Sequence, residues 1–276
     1  MNIAPHIPAP PPKWVENFAR IGLSAKGVVY CLVGILAFMA AFELGGKSDQ
    51  NAGKQGVFQF ILEQPFGKWL LAVVALGLIC YTIWRFIQGF RDSEDKGSGA
   101  KGIAMRLRYI FSGLVYGGLA YAAARMVLGQ SSGGNGDSRE TMAGALLQQP
   151  FGQWLVGIVA VVTIGSGLYQ LYYGLTDKYK KDLQSTGLKS DIEGKMVRMG
   201  KVGYVARGIV WLVIGYMFLK AALDADANEA GGSNQAFKFL ENSAYGSFLL
   251  GAVAVGLVFY GLFMFMRAKY QPVGTN

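Results

Sequence analysis

The string QPFGKWL at residues 64–70 returns as QPFGQWL at 149–155 and, in eroded form, as SAYGSFL at 243–249. Each copy stands just before a long apolar run, so the chain is one unit written three times, and a period of this kind decides architecture before any other signal. The apolar runs cover residues 27–44, 69–90, 108–128, 151–175, 202–223 and 247–266. Each is close to the ~20 residues that cross ~30 Å of hydrocarbon. The expected fold is an all-α integral membrane protein of six transmembrane helices, arranged as three parallel two-helix repeats. A two-helix unit keeps its orientation when repeated, which relates the copies by an axis along the membrane normal and predicts pseudo-threefold symmetry.

The units divide the chain into a Pro-rich tail at 1–17, repeat 1 at 18–92, a linker at 93–104, repeat 2 at 105–178, a linker at 179–197, repeat 3 at 198–270 and a C-terminal tail at 271–276. Charged residues make up 16% of the 276 residues, well below the ~25% of a soluble domain. Lys13, Arg20 and Lys26 precede the first run without a small-residue cleavage site, so the N-terminus is expected to be retained. Pro65 and Pro150 are expected at helix entries, where the missing N–H costs nothing. Cys31 and Cys80 fall inside apolar runs and read as packing residues. The lone histidine, His6, lies in the Pro-rich tail. A b-type haem needs imidazole ligands inside the bundle, which excludes that class, and no cofactor is expected.

The basic residues orient the chain. The N-terminal segment, the stretches 91–108 and 178–207, the C-terminus and Arg85 hold 19 of the 26 Lys and Arg residues, whereas the loops inside each pair, with their flanks Arg125 and Lys220, hold 7. Acidic residues divide 8 to 9, so the bias lies in the basic residues, and the positive-inside rule places both termini in the cytoplasm. The net charge of +9 is therefore a membrane statement. Linker residues such as Lys178, Lys180 and Lys181 are expected to meet anionic lipid headgroups, at ~1 kcal/mol each. A nucleic-acid surface would interleave aromatic platforms with the basic residues, and Tyr179 alone does not supply one, so no nucleic-acid partner is expected.

Comparing the copies shows what each unit retains. Arg20, Arg106 and Lys201 correspond, as do Gly27, Gly113 and Gly208, then Tyr30, Tyr116 and Trp211, then Gly34, Ala120 and Gly215. Small residues at such spacings let membrane helices approach closely, so Gly27, Gly34, Gly113, Gly208 and Gly215 are read as packing positions. Each loop inside a pair carries a short amphipathic stretch, at 57–62, 142–147 and 236–240, expected to lie in the headgroup region, with a lid over the bundle as the alternative. Lys26 and Arg207 share a repeat position that is Ser112 in the second copy, and Arg85 corresponds to Gln170 and Met264. Lys26, Arg85 and Arg207 are the candidate lipid or ligand contacts, because charge inside a membrane is expensive to place there. Lying near the interface, with Arg125 and Glu43 toward the opposite ends, they are expected to snorkel to the headgroups.

No carboxylate occupies a helix centre, and the chain has no HExxH, P-loop or CxxC, nor a GxSxG with a histidine partner. Neither general acid–base nor metal-assisted chemistry has its parts, and a non-enzymatic role is expected. With Gly, Ala, Val and Leu recurring at the helix midpoints, the bundle axis is expected to be packed shut. The three-by-two plan is shared with mitochondrial carriers, whose acidic Pro-based signature is absent where helix 1 ends Ala41-Phe42-Glu43-Leu44.

Lys26-Gly27-Val28-Val29-Tyr30 and Arg207-Gly208-Ile209-Val210-Trp211, the Phe-Gly-x-Trp-Leu entry, and Gly77-Leu78-Ile79-Cys80-Tyr81 with Gly256-Leu257-Val258-Phe259-Tyr260 together resemble a bacterial membrane family of three helix pairs, domain of unknown function 1206. The second copy departs from this pattern, with Ser112, Val162 and Ser166 at the matching positions, so a site built from them must be lopsided. The resemblance implies a multi-pass protein of the bacterial inner membrane and supplies no activity. The leading expectation is action through contacts with membrane lipids or a membrane-protein partner. A small transporter or channel along the pseudo-threefold axis is the rival. Reporter fusions test the orientation: Ser98 and Gln184 should report cytoplasm, and cytoplasmic signals at Asn135 and Asn228 would overturn it.

Overall fold

The computed structural model describes residues 13–44, 54–91, 99–130, 138–179 and 190–270. The Pro-rich tail through Pro12, the linker lysines Lys180 and Lys181, and the segment from Gln271 lie outside the described residues. Among the described residues the α-helices are α1 (Lys13–Ala41), α2 (Lys54–Leu62), α3 (Gly67–Arg91), α4 (Ala100–Val127), α5 (Ser138–Leu147), α6 (Gly152–Leu175), α7 (Ser190–Asp224), α8 (Ser233–Glu241) and α9 (Gly246–Tyr270). Six of them are long and apolar enough to span a membrane. The shortest, α6, has 24 residues, or ~36 Å at 1.5 Å per residue. Helices satisfy their backbone polar groups internally, as hydrocarbon requires. The protein is thus a multi-pass membrane protein of three helix pairs, α1/α3, α4/α6 and α7/α9, with a short helix inside each pair.

The repeated string has a backbone cause. In each copy a turn closes from Gly67 to Gln64, from Gly152 to Gln149 and from Gly246 to Ser243, with N–H to carbonyl distances of 2.8, 2.9 and 2.9 Å. The residue before each glycine is left-handed: Phe66 at φ 61°, Phe151 at 62° and Tyr245 at 59°. A Cβ on the glycine would then lie 2.3, 2.4 or 1.6 Å from a carbonyl oxygen of the preceding short helix, at Ile61, Leu146 and Glu241 respectively. Only glycine permits this reversal. Pro65 and Pro150 therefore sit at the second position of a turn that has its third residue at positive φ, a place proline suits. They do not open the helices, as the sequence reading expects, because α3 and α6 begin two residues later.

The spanning helices contact one another in the cyclic order α4, α3, α1, α9, α7, α6. The first helix of each pair packs on the second helix of another pair, and α9 closes back on α1. Equivalent basic residues tie these contacts at the end where α1 begins and α9 finishes, referred to below as the basic end. Arg20 donates to the carbonyls of Ala268 and Lys269 at 3.0 Å each, and Arg106 donates to those of Gly89 and Phe90 at 2.8 and 3.0 Å. Lys201 lies 3.9 Å from Asp177, just beyond α6. The last carbonyls of a helix lack internal partners and carry negative partial charge, so cations belong there. Close approach follows at the glycines: a Cβ at Gly27, Gly34, Gly113, Gly208 or Gly215 would come within 3.0 Å of an atom on a neighbouring helix.

One seam in the cycle stays open. Among the described residues α4 and α6 scarcely touch, although α1 packs on α3 and α7 on α9. The short helices fit the lid alternative better than a place in the headgroup region. Val57 and Phe58 on α2 are fully buried, as are Ala236 and Phe237 on α8, while Phe239 is 47% exposed. These faces plug the end of the bundle opposite the basic end: the left-handed turn after each short helix brings α2 against α1 and α3 and α8 against α7 and α9, while α5 meets α6 and α7.

The packing predicts a contrast between two glycines. A Cβ at Gly34 would sit 2.6 Å from the Ala254 carbonyl oxygen, whereas one at Gly118 meets nothing within 4 Å. Gly34→Leu should lower stability in neutral detergent by roughly 1–3 kcal/mol, as overpacking does, and Gly118→Leu should leave the unfolding midpoint in place.

Candidate functional site

Residues that correspond across the three copies converge on one level of the bundle. Lys26 is 2% exposed and Arg207 9% exposed, so neither snorkels to the headgroups. Both point inward because each lies one turn before an aromatic on its own helix, Tyr30 or Trp211, on the buried face of α1 or α7. Lys26 Nζ donates to the Tyr81 hydroxyl at 3.0 Å, and Arg207 Nη1 donates to the Tyr260 hydroxyl at 2.5 Å. Tyr81 and Tyr260 are themselves equivalent, so copies 1 and 3 make the same bond. In copy 2 the two positions are Ser112 and Ser166, and Ser166 turns its hydroxyl back to the Val162 carbonyl on its own helix.

Tyrosines cage the cations. The Lys26 ammonium lies 4.8, 5.1, 5.2 and 6.0 Å from the ring centres of Tyr81, Tyr116, Tyr260 and Tyr30. The Arg207 guanidinium lies 4.9 Å from Tyr260, 5.4 Å from Tyr30 and 5.7 Å from Trp211. Arg85 donates through Nε to the Tyr81 hydroxyl and through Nη1 to Gln88 Oε1, each at 2.8 Å, and lies 4.8 Å over Trp84. The Tyr81 oxygen thus accepts from two cations, filling both its lone pairs. A charge at the centre of a membrane helix costs about 2.5–3.5 kcal/mol on the insertion scale. A hydrogen bond to a charged group returns about 1.5–3 kcal/mol and a desolvated cation–π contact about 2 kcal/mol, enough together to offset it.

Beyond this level Tyr116 donates to the Tyr30 hydroxyl at 3.2 Å. Lys54 of α2 approaches the same two rings, 5.3 and 5.7 Å from their centres. Toward the basic end, Arg108 of α4 lies 4.2 Å over the Tyr169 ring of α6, and Arg267 Nη1 donates to the Tyr204 hydroxyl at 3.4 Å. Tyr179 belongs to the same aromatic column, edge-on to Phe263 at 5.8 Å, and donates to the Val197 carbonyl. Its phenol is pushed above the usual value by burial and by the Asp177 carboxylate, so it stays protonated.

Between these layers lies a cavity of about 50 Å³ that all six spanning helices reach. The axis is therefore not packed shut as expected. Lys26, Arg85, Arg108, Arg207 and Arg267 line the cavity, and none of the described residues around it is a carboxylate. Ser112, Ser166 and Gln170 supply its copy-2 wall. Two buried atoms there, Arg207 Nε and Gln170 Oε1, have no hydrogen-bond partner among the described residues. Of the other charged residues read near helix ends, Glu43 is exposed beyond α1, and Arg125 lies 5.9 Å over the Tyr121 ring.

Sequence reasoning found Lys26, Arg85 and Arg207 and missed Lys54, Arg108 and Arg267. Lys54 stands three and four residues before Val57 and Phe58, a spacing that puts it on the same helix face as those apolar residues. Tyr81→Phe keeps the ring and removes the acceptor shared by Lys26 and Arg85. It should cost about 1.5–3 kcal/mol in thermal unfolding, whereas Tyr121→Phe, at a position 65% exposed, should cost nothing measurable.

A family model described as Domain of Unknown Function (DUF1206) matches residues 21–92, 107–177 and 202–271, once for each helix pair. The uncharacterized protein YxxB of Bacillus subtilis (strain 168) is 33% identical over 258 residues, covering 94% of this chain and 92% of its own. No solved structure matches the chain. With the model met in all three pairs and that relative alike over nearly the whole length, the chain belongs to the DUF1206 family.

Proposed function

We propose that the protein is a non-enzymatic binding protein of the bacterial inner membrane that takes an anionic group into its helix bundle. The observation that carries this reading is the cavity: five cations from α1, α3, α4, α7 and α9 line it without a carboxylate among the described residues, and Arg207 Nε and Gln170 Oε1 are left unpartnered. Like charges around a shared space repel, and an anion between them removes that repulsion. The planar guanidinium fork of arginine holds two oxygens of a phosphate or carboxylate in a defined bidentate geometry. The excess of Lys and Arg in the termini and linkers supports a cytoplasmic basic end, which puts the cavity in the cytoplasmic half of the bilayer. The anion then comes from a membrane lipid, a partner protein or the cytoplasm.

Lys54 favours the transporter reading, since it offers a further cation past the Tyr30–Tyr116 layer. Against that reading, Phe58 and Phe237 are buried in the far end of the bundle.

The test is thermal unfolding of purified protein in neutral detergent, with inorganic phosphate and with the short-chain lipid dihexanoyl phosphatidic acid. At least one should raise the midpoint saturably, with a gain near 2.7 kcal/mol at a hundred times its dissociation constant. Arg207→Gln and Lys26→Met should remove the effect. No rise with either compound, or an equal rise in the variants, would overturn anion binding.

A further inference from the structure

We infer that the ligand is a phosphate-bearing amphiphile whose headgroup enters the cavity sideways from the bilayer, through the seam between α4 and α6. This rests on the anion-binding reading above and names the ligand class and its route.

The seam is the first observation. Five of the six neighbouring pairs in the cycle of spanning helices pack closely, and α4 with α6 does not. The same two helices are the least enclosed, with 22% and 28% of their most apolar windows buried, against 39% to 61% for the others. A channel built for a water-soluble ion would need that wall closed, because an open seam exposes the ion to hydrocarbon. A lipid needs it open, since its chains stay outside while its phosphate goes in.

The chemistry of the seam is the second observation. Where copies 1 and 3 fill the equivalent positions with a bonded cation and tyrosine, copy 2 has Ser112 and Ser166, and both serines line the cavity. Replacing two large side chains by two hydroxymethyl groups leaves the space that the cavity occupies. Gln170 stands there with its unpartnered oxygen, suited to a hydroxyl on the ligand. Arg108, held over Tyr169, bridges the seam by a ring contact and marks the level at which a phosphate passes from headgroup depth to Arg207. The α4 and α6 surfaces otherwise carry exposed apolar residues such as Leu114, Ile158 and Leu168, which suit acyl chains. Cationic lining and apolar approach together match an anionic lipid, and the phosphate group is the chemistry it shares with free inorganic phosphate.

The experiment separates the two sources. Wild-type protein, Ser166→Phe and Arg207→Gln are titrated in neutral detergent with dihexanoyl phosphatidic acid, dihexanoyl phosphatidylcholine and inorganic phosphate, with size exclusion run alongside. The expected result is that phosphatidic acid binds at least tenfold more tightly than the other two, and that either substitution weakens it tenfold or more. If inorganic phosphate binds as tightly and Ser166→Phe changes nothing, the ligand is a soluble anion; lateral entry is overturned and the anion site stands. If neither phosphate compound binds, both readings fall. If wild type is dimeric and Ser166→Phe is monomeric, the seam is an interface between copies and the inference is overturned. Should Ser166→Phe fail to fold, a photoreactive-tailed phosphatidic acid in phosphatidylcholine nanodiscs of wild type decides. Labelling concentrated on α4 and α6 sustains the inference, and even labelling of all spanning helices removes it.

Discussion

Lys26 and Arg207 hold their polar ends in a place where water is scarce, and tyrosine makes this feasible. A phenol offers what neither an aliphatic nor a carboxylate side chain can: a ring face that attracts a cation, a hydroxyl that accepts from it, and no compensating negative charge. Tyr81 holds two cations on one oxygen, and Tyr260 holds Arg207 while its ring stands edge-on to Tyr30 at 4.8 Å. Had carboxylates answered these cations, the centre would be neutral and closed to an incoming anion. Because phenols answer them, the positive field survives burial.

The rest of the bundle serves this arrangement. Glycines bring α1 against α9 and α6 against α7, which moves the odd-helix cations toward the middle. The αL turn before each second helix reverses the chain within a few residues, so α2 and α8 drop onto their own pairs, α5 onto α6 and α7, and the buried faces of α2 and α8 close the far end. The site is therefore walled on one side, floored by aromatic residues and left thin at the second pair.

Much of this was legible in residue order. Three copies of one string gave six spans and their pairing, and the residues recurring at equal places, Lys26 with Arg207 and Tyr81 with Tyr260, are those the fold gathers. The departure of copy 2 also announced an unequal site. The depth and aim of the cations were not legible, since a helix of ~1.5 Å rise per residue puts Lys26 near the interface by length alone. Only packing against α3 and α9 turns its ammonium inward. Nor could periodicity reveal that α4 and α6 stand apart, because their apolar composition suits lipid and helix neighbours equally. Lys54 and Arg108 were counted as loop and linker charge, since charge bias orients segments without saying which side chain folds back into the bundle.

The bond from Arg20 to the carbonyls of Ala268 and Lys269 joins the first spanning helix to the last, across 248 and 249 residues of chain. Synthesis delivers these helices in order, so α1 enters the membrane with Lys26 bound to nothing on α9 and with Gly27 and Gly34 facing lipid. Five further spans must arrive before that surface is covered, since α9 is the one that covers it. Tyr81 of α3 is the first to meet the Lys26 ammonium, and the Tyr260 ring of α9 joins it only when the sixth span is in place. A chain that stops before α9 keeps the Tyr81 bond and lacks what α9 adds, the Tyr260 ring beside Lys26 and the backbone that covers Gly27 and Gly34.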